Sequence, residues 1–110
     1  MAKLEATLHG NFSAILNAID TAVLEGSFTA SLEDESHFQS SSGRCVLRVY
    51  ERYSALGGNR VSLSVLLLET AHGVRLSAIA SGGSQAMFFK INTWGEEAFL
   101  GTLRAVADGL

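Results

Sequence analysis

Alternation of apolar and polar positions predicts strands along most of the chain. Near the start, Leu4, Ala6 and Leu8 alternate with charged or polar residues, which is typical of a half-buried strand. The same period of two recurs in five later segments, and the short connections between them indicate an antiparallel meander. These segments are residues 28–33, 44–53, 61–70, 74–81 and 84–91. The polar stretch at 33–43 is predicted to be a turn-like loop.

A period near 3.6 predicts two helices. The first begins after Asn11, a plausible N-cap, and ends near Gly26. Its apolar stripe is Phe12, Ile15, Leu16, Ile19 and Val23. The second begins after Thr93, and its stripe is Phe99, Leu103, Val106 and Leu110. The order β-α-β-β-β-β-β-α predicts one two-layer α+β domain over residues 1–110, with a curved antiparallel sheet and both helices on one face.

The predicted turns specify how the strands pair. A two-residue turn between the fourth and fifth strands sets Leu67 against Ala78, and a further turn sets Ala78 against Phe89. Leu47 is then expected opposite Leu67. In this register the third strand turns its odd-numbered residues toward the helices and its even-numbered residues toward the opposite face. A slip of one residue would exchange the two faces.

The same register predicts an apolar patch rimmed by arginines on the sheet face that the helices leave open. A contiguous patch of this kind is unusual for a soluble monomer and often marks an interaction surface. We expect a homo-oligomer, most simply a two-fold dimer with sheets packed face to face. The candidate interface or binding residues are Arg44, Val46, Arg48, Tyr50, Arg52, Leu66, Leu68, Arg75, Ile79 and Phe88.

Other readings of this surface and of the opposite one stay open. The arginines would also suit another protein or a small anionic ligand. The face would alternatively be partly exposed, or covered by the loop at 33–43. A different function is small-ligand binding, in a pocket between the sheet and the C-terminal helix as in helix-grip folds, which is an analogy of fold alone.

Composition and charge exclude several classes of function. The chain has 110 residues, of which 47% are hydrophobic and 17% charged, and this is a globular composition of single-domain size. The net charge of −3 argues against general nucleic-acid binding. No apolar run approaches the roughly 18 residues of a membrane span, and no signal peptide is evident. We therefore expect a cytoplasmic protein that does not bind membranes.

The sequence carries little catalytic or ligand-binding chemistry. Cys45 is the single cysteine and has no recognisable base, and the three histidines share no metal-ligand spacing. Gly82 and Gly83 precede a predicted strand, whereas a phosphate-binding loop normally precedes a helix. Glu96 is best explained as the capping-box partner of Thr93. We predict no catalytic residue, no metal and no cofactor, and we favour a non-enzymatic protein.

Three segments carry a resemblance to a known family. The stretches "VYERYS", "GGNRVSLS" and "LSAIASGGSQAMFFKINTWGEEAFL" resemble a family of short bacterial proteins of unknown function. The resemblance spans nearly the whole chain and is most specific at residues 50–54 and 81–97. It implies a bacterial origin and a complete single-domain protein. It implies no activity, cofactor or catalytic residue.

Overall fold

Five strands and one helix make up the described part of the chain. The computed structural model describes residues 2–25, 30–53 and 60–82. The elements in chain order are β1 Ala2–Leu8, α1 Phe12–Glu25, β2 Ser31–Ser40, β3 Gly43–Tyr53, β4 Arg60–Thr70 and β5 Gly73–Gly82. The predicted sixth strand and second helix lie outside the described residues.

The strands form one sheet in the order β1-β5-β4-β3-β2. Every neighbouring pair is antiparallel, so the two edge strands β1 and β2 run in the same direction. Helix α1 connects these edges and packs on one face, which we call the helix side. The other face is the open face. An antiparallel sheet with a helix packed on it agrees with the predicted α+β class.

Helix α1 forms where its sequence predicts it. The side chain of Asn11 caps the helix, since Asn11 Oδ1 accepts a hydrogen bond of 3.0 Å from the backbone N–H of Ala14. Backbone pairing begins one residue later, from the N–H of Ile15 to the carbonyl of Asn11 at 3.0 Å. All five residues of the predicted stripe are buried, which confirms it. They are Phe12, Ile15, Leu16, Ile19 and Val23.

The segment predicted to be a loop at 33–43 is mostly the edge strand β2. It pairs with β3 along its length, for example Phe38 opposite Cys45, with a bulge between Leu32 and Asp34. The loop prediction was wrong because an edge strand that is exposed on both faces shows no apolar alternation. Its polar and acidic side chains are typical of edges protected from pairing with other chains.

The β4–β5 register differs from the prediction by two residues. The turn is formed by residues 71–72, so Leu67 lies opposite Leu76, and Ala78 lies opposite Val65. A shift of two leaves every side chain on its predicted face. The other neighbour of Ala78 is Leu4 of β1. Ala78 was predicted to pair with Phe89 at this edge of β5, but β1 pairs there instead, and Phe89 lies outside the described residues.

The β3 register differs by one residue, and this exchanges the faces of β3. Val46 lies opposite Leu67, and Leu47 lies opposite Leu66. The even-numbered residues of β3 therefore point to the helix side, contrary to the prediction. Both sets of β3 residues contain apolar side chains, so periodicity alone does not distinguish them. The polar ends of Arg48 and Tyr50 find partners on the helix side, which permits their burial.

Two hairpins close on glycines with positive φ. Gly43 follows the β2–β3 turn with φ 147°, and a Cβ there would lie 2.5 Å from the carbonyl oxygen of Glu69. Gly73 follows the β4–β5 turn with φ 133°, and a Cβ there would lie 2.8 Å from the carbonyl oxygen of Leu8. Only glycine fits both the backbone angle and the available space.

The core lies between α1 and the helix side of the sheet. It joins the α1 stripe to alternating residues from four strands. The strand members are Leu4, Leu8, Val46, Tyr50, Leu63, Val65, Leu67, Val74, Leu76, Ala78 and Ala80. Among the described residues, β3, β4 and β5 thus bury their side chains mainly on the helix side, and the side chains on their opposite face are half-buried or exposed.

Candidate functional site

The open face carries a continuous apolar surface at its centre. Directly opposed side chains on neighbouring strands share a sheet face, so the pairing places Leu47 beside Leu66 and Cys45 between Phe38 and Leu68. We call the apolar residues of this face the open-face patch. Its members are Phe38, Cys45, Leu47, Val49, Leu66, Leu68 and Ile79.

Members of the open-face patch are substantially exposed. Leu66 and Leu68 retain 40% and 42% of their accessible surface, and Leu47 and Ile79 each retain 38%. Phe38 retains 68%. On β4 and β5, by contrast, helix-side residues such as Leu67 and Leu76 are almost fully buried. Single exposed apolar residues are common on proteins, but a cluster that spans four adjacent strands is a candidate interaction surface.

Charged residues lie on both sides of the open-face patch. Asp34 lies on β2 at one side, opposite Val49, and is exposed. Arg75 lies on β5 toward the other side, opposite Leu68. Beyond it on β1, Lys3 forms an exposed ion pair of 3.3 Å with Glu5. The patch therefore has an acidic margin at β2 and a basic residue, Arg75, toward β1.

The predicted site residues divide between the two faces. Leu66, Leu68, Arg75 and Ile79 lie together on the open face, as the sequence predicted. The prediction placed five β3 residues beside them, and this placement was wrong because of the one-residue register difference. Arg44, Val46, Arg48, Tyr50 and Arg52 lie on the helix side. Phe88 lies outside the described residues.

Arg48 and Tyr50 belong to a polar cluster that joins α1, β3 and β2. The guanidinium of Arg48 donates to Glu35 Oε2 at 2.7 Å and to Asp20 Oδ1 at 3.2 Å. The hydroxyl of Tyr50 donates to the same Asp20 oxygen at 2.9 Å. His37 contacts the second carboxylate oxygen of Glu35 at 3.2 Å. This arrangement satisfies the buried polar atoms and is explained by stability alone.

The environment of this cluster shifts the pKa values of Tyr50 and Glu35. Burial raises the pKa of Tyr50 to about 12, and the neighbouring Asp20 carboxylate adds to the increase. The hydrogen bond from His37 and then the contacts with Arg48 lower the pKa of Glu35. Tyr50 therefore stays neutral and Glu35 stays ionised near neutral pH. Neither shift produces a general acid or base that titrates in the physiological range.

Arg44 is also committed to the helix side. Its guanidinium carbon lies 4.6 Å from the centroid of the Phe12 ring, within the range of a cation–π interaction. Its Nη1 donates to Ser13 Oγ at 2.9 Å, and its backbone N–H donates to Glu69 Oε1 at 3.1 Å. Arg44 thus links the start of α1 to the sheet, and its side chain does not lie on the open face.

Sequence reasoning missed four members of the open-face patch. Cys45, Leu47 and Val49 were assigned to the opposite face, and Phe38 was assigned to a loop. One signal was present for Phe38, since it is the only aromatic residue in the polar stretch at 33–43. A signal for β3 was also present in α1, because Asp20 flanks the buried stripe and requires a polar partner on the strand beneath it.

Comparison with known families gives one result. The model of a family of unknown function, DUF6054, matches residues 1–110. The chain belongs to this family. The match confirms the resemblance to an uncharacterised family. No curated protein and no solved structure matches this DUF6054 chain.

Two further observations concern the described ranges of this DUF6054 chain. Residues 2–25, 30–53 and 60–82 contain no helix of the length and hydropathy that would cross a membrane. Over the same ranges, no three histidine, cysteine, aspartate or glutamate residues come together in a group that would hold a metal ion. The open-face patch is therefore the strongest candidate functional site in the described structure.

Proposed function

We propose that this protein is a non-enzymatic, cytoplasmic bacterial domain that self-associates through the open-face patch. One observation carries the proposal: Leu47 and Leu66 oppose each other at the centre of an exposed sheet face. Burying apolar surface contributes about 25 cal/mol per Å², so covering this patch stabilises whatever complex covers it. A second copy of the chain supplies a matching apolar surface without any other component.

The dimensions of the open face suit a dimer. Strands lie about 4.8 Å apart and rise about 3.4 Å per residue, so five strands over some seven residues present about 600 Å² in projection. An overlap of four strands from each copy would bury about 900 Å² in total, which is the size of a weak, concentration-dependent interface. Two sheets packed face to face also bury alternate side chains between them, as in β-sandwiches.

An anionic ligand is less well supported than a second copy. It would need the ring of arginines that the sequence predicted around the patch. Arg44 and Arg48 form their contacts on the helix side instead, with Ser13, Asp20 and Glu35. Arg75 remains on the open face, and one arginine beside an apolar surface fits a protein interface better than a site for a small anion.

Light scattering of the purified protein tests the proposal. We expect a dimer whose fraction increases with concentration, and a monomer for Leu66→Asp and Leu47→Asp with unchanged circular dichroism. Asn17→Asp is the matched control, since it adds the same charge at an exposed position of α1. A wild-type protein that stays monomeric at high micromolar concentration contradicts the proposal, and the other occupants of the face would then be a different protein or the chain's own segment at 83–110.

A further inference from the structure

The open-face patch has different chemistry at its two sides. One cross-strand row runs Phe38, Cys45, Leu68, Arg75 and Thr7, so an exposed aromatic ring lies on β2 and an arginine lies on β5, three strands away. Within the described ranges, Arg75 forms no ion pair. Asp34 lies on the same strand as Phe38. The face is therefore asymmetric in the direction across its strands, and this asymmetry restricts how two copies can pack.

Two kinds of two-fold axis bring sheets face to face with roughly aligned strands. An axis that runs along the strands, between β3 and β4, places β2 of one copy over β5 of the other and keeps each row in place. An axis that runs across the strands places each strand over its own copy and reverses the order of the rows.

The two arrangements differ in their electrostatic contacts. With the axis along the strands, Arg75 of each copy comes to the Phe38 ring of the other, which forms two cation–π contacts by symmetry. With the axis across the strands, Asp34 of each copy comes to the Phe38 ring of the other. A carboxylate against the negative face of an aromatic ring is repelled.

We propose that two copies pair about a two-fold axis along the strands, with β2 of each over β5 of the other and Phe38 against Arg75. This inference rests on the proposed function, because it names the partner and its orientation at the same site. The central contact in this arrangement is Leu47 of one copy with Leu66 of the other. Cys45 of one copy then lies against Leu68 of the other.

Cysteine cross-linking distinguishes the two orientations. Ser36 on β2 and Ser77 on β5 lie in the central row, opposite Leu47 and Leu66 respectively. They are three strands apart, about 14 Å within one chain, whereas facing sheets lie about 10 Å apart. Two single variants, Ser36→Cys and Ser77→Cys, are prepared in a Cys45→Ser background. A bismaleimide with a span near 10 Å is added to each variant alone and to their mixture.

We expect cross-linked dimers in the mixture and not in either single variant. Dimers from each single variant alone would overturn the proposed orientation while the proposed function stands. A protein that light scattering shows to be dimeric but that cross-links in no combination would also overturn the orientation. A monomer by light scattering would remove the proposed function itself, so the two failures are distinguishable.

A double-mutant cycle provides the second test. Phe38→Ala and Arg75→Ala are each expected to raise the dissociation constant of the dimer on the order of tenfold, since each removes two symmetric contacts. The double variant should lose less than the product of the two effects, because each single change already removes the pair. Effects of the two substitutions that multiply without coupling would overturn the contact between Phe38 and Arg75.

Discussion

The hydroxyl of Tyr50 donates a hydrogen bond of 2.9 Å to Asp20, although the Tyr50 side chain is fully buried. This bond links the middle of β3 to α1. The same carboxylate accepts from Arg48 at 3.2 Å, so one acidic group satisfies two buried donors. The orientation of β3 in the sheet depends on this arrangement.

Replacing Asp20 tests the importance of the polar cluster. Asp20→Ala leaves the buried Tyr50 hydroxyl without its acceptor and removes one carboxylate from Arg48, so we expect a loss of about 2 kcal/mol in the free energy of unfolding. Asp20→Asn keeps an acceptor and should cost less. Urea denaturation measures both, with Glu25→Ala at the exposed end of α1 as control. Equal stability of Asp20→Ala and the control would contradict the role assigned to Asp20.

Alanine substitutions at adjacent residues test the register of β3. Val46 is 1% exposed in the core, and Val46→Ala should lower the free energy of unfolding by about 2 kcal/mol because it leaves a cavity. Leu47→Ala changes a side chain on the open face and should cost less than about 1 kcal/mol in the monomer. Denaturation at a concentration low enough to populate the monomer measures both. The reverse order of effects would mean that the faces of β3 are exchanged.

Amphipathic periodicity was sufficient where one side of an element is buried and the other is polar. The five-residue stripe of α1 agrees with the structure in every position, and its cap at Asn11 does too. The faces of β4 and β5 also agree, even though their pairing is shifted by two residues. Burial of one face is a strong constraint that the apolar pattern records directly.

Periodicity was not sufficient for β2 and β3. Almost all side chains of β2 are exposed, so the strand is held by backbone hydrogen bonds. The side-chain pattern does not predict such bonds. β3 has Val46 on one face and Leu47 on the other. Its buried face also carries Arg48, so the apolar pattern does not show which face is buried. Arg48 is tolerated there because Asp20 and Glu35 neutralise it, and these residues are distant in sequence. The sequence therefore predicted the part of the candidate site on β4 and β5 and missed the part on β2 and β3.

Alkaline pH should weaken the fold through Tyr50. The folded pKa of Tyr50 is about 12, above its ordinary value near 10, so folding favours the neutral phenol. The resulting stability is fully present below about pH 10 and is lost as the pH rises toward 12, by about 2 kcal/mol. Urea denaturation between pH 8 and pH 12 measures it. The difference between wild type and Tyr50→Phe should shrink over this window, and a constant difference would contradict the expectation.

The glycine at the β2–β3 turn is expected to resist substitution. Gly43→Ala would place a methyl group 2.5 Å from the carbonyl oxygen of Glu69, at a φ of 147°. We expect a loss of about 2 kcal/mol or more, since steric overlap adds to backbone strain. Ser41→Ala, at an exposed position of the same turn, serves as control. Thermal denaturation compares the two, and a Gly43→Ala protein as stable as the control would contradict this account of the turn.

The position of β1 determines when the sheet can be completed. Ala2 pairs with Ala80, so among the described residues β1 has β5 as its one neighbouring strand. The ladder from β2 to β5 consists of pairings between consecutive strands, which close short stretches of chain and form readily. The β1–β5 ladder must instead close nearly the whole described length, at a greater entropic cost. During synthesis β1 therefore cannot pair until β5 has left the ribosome. Until then the apolar stripe of α1 has no complete sheet to pack against.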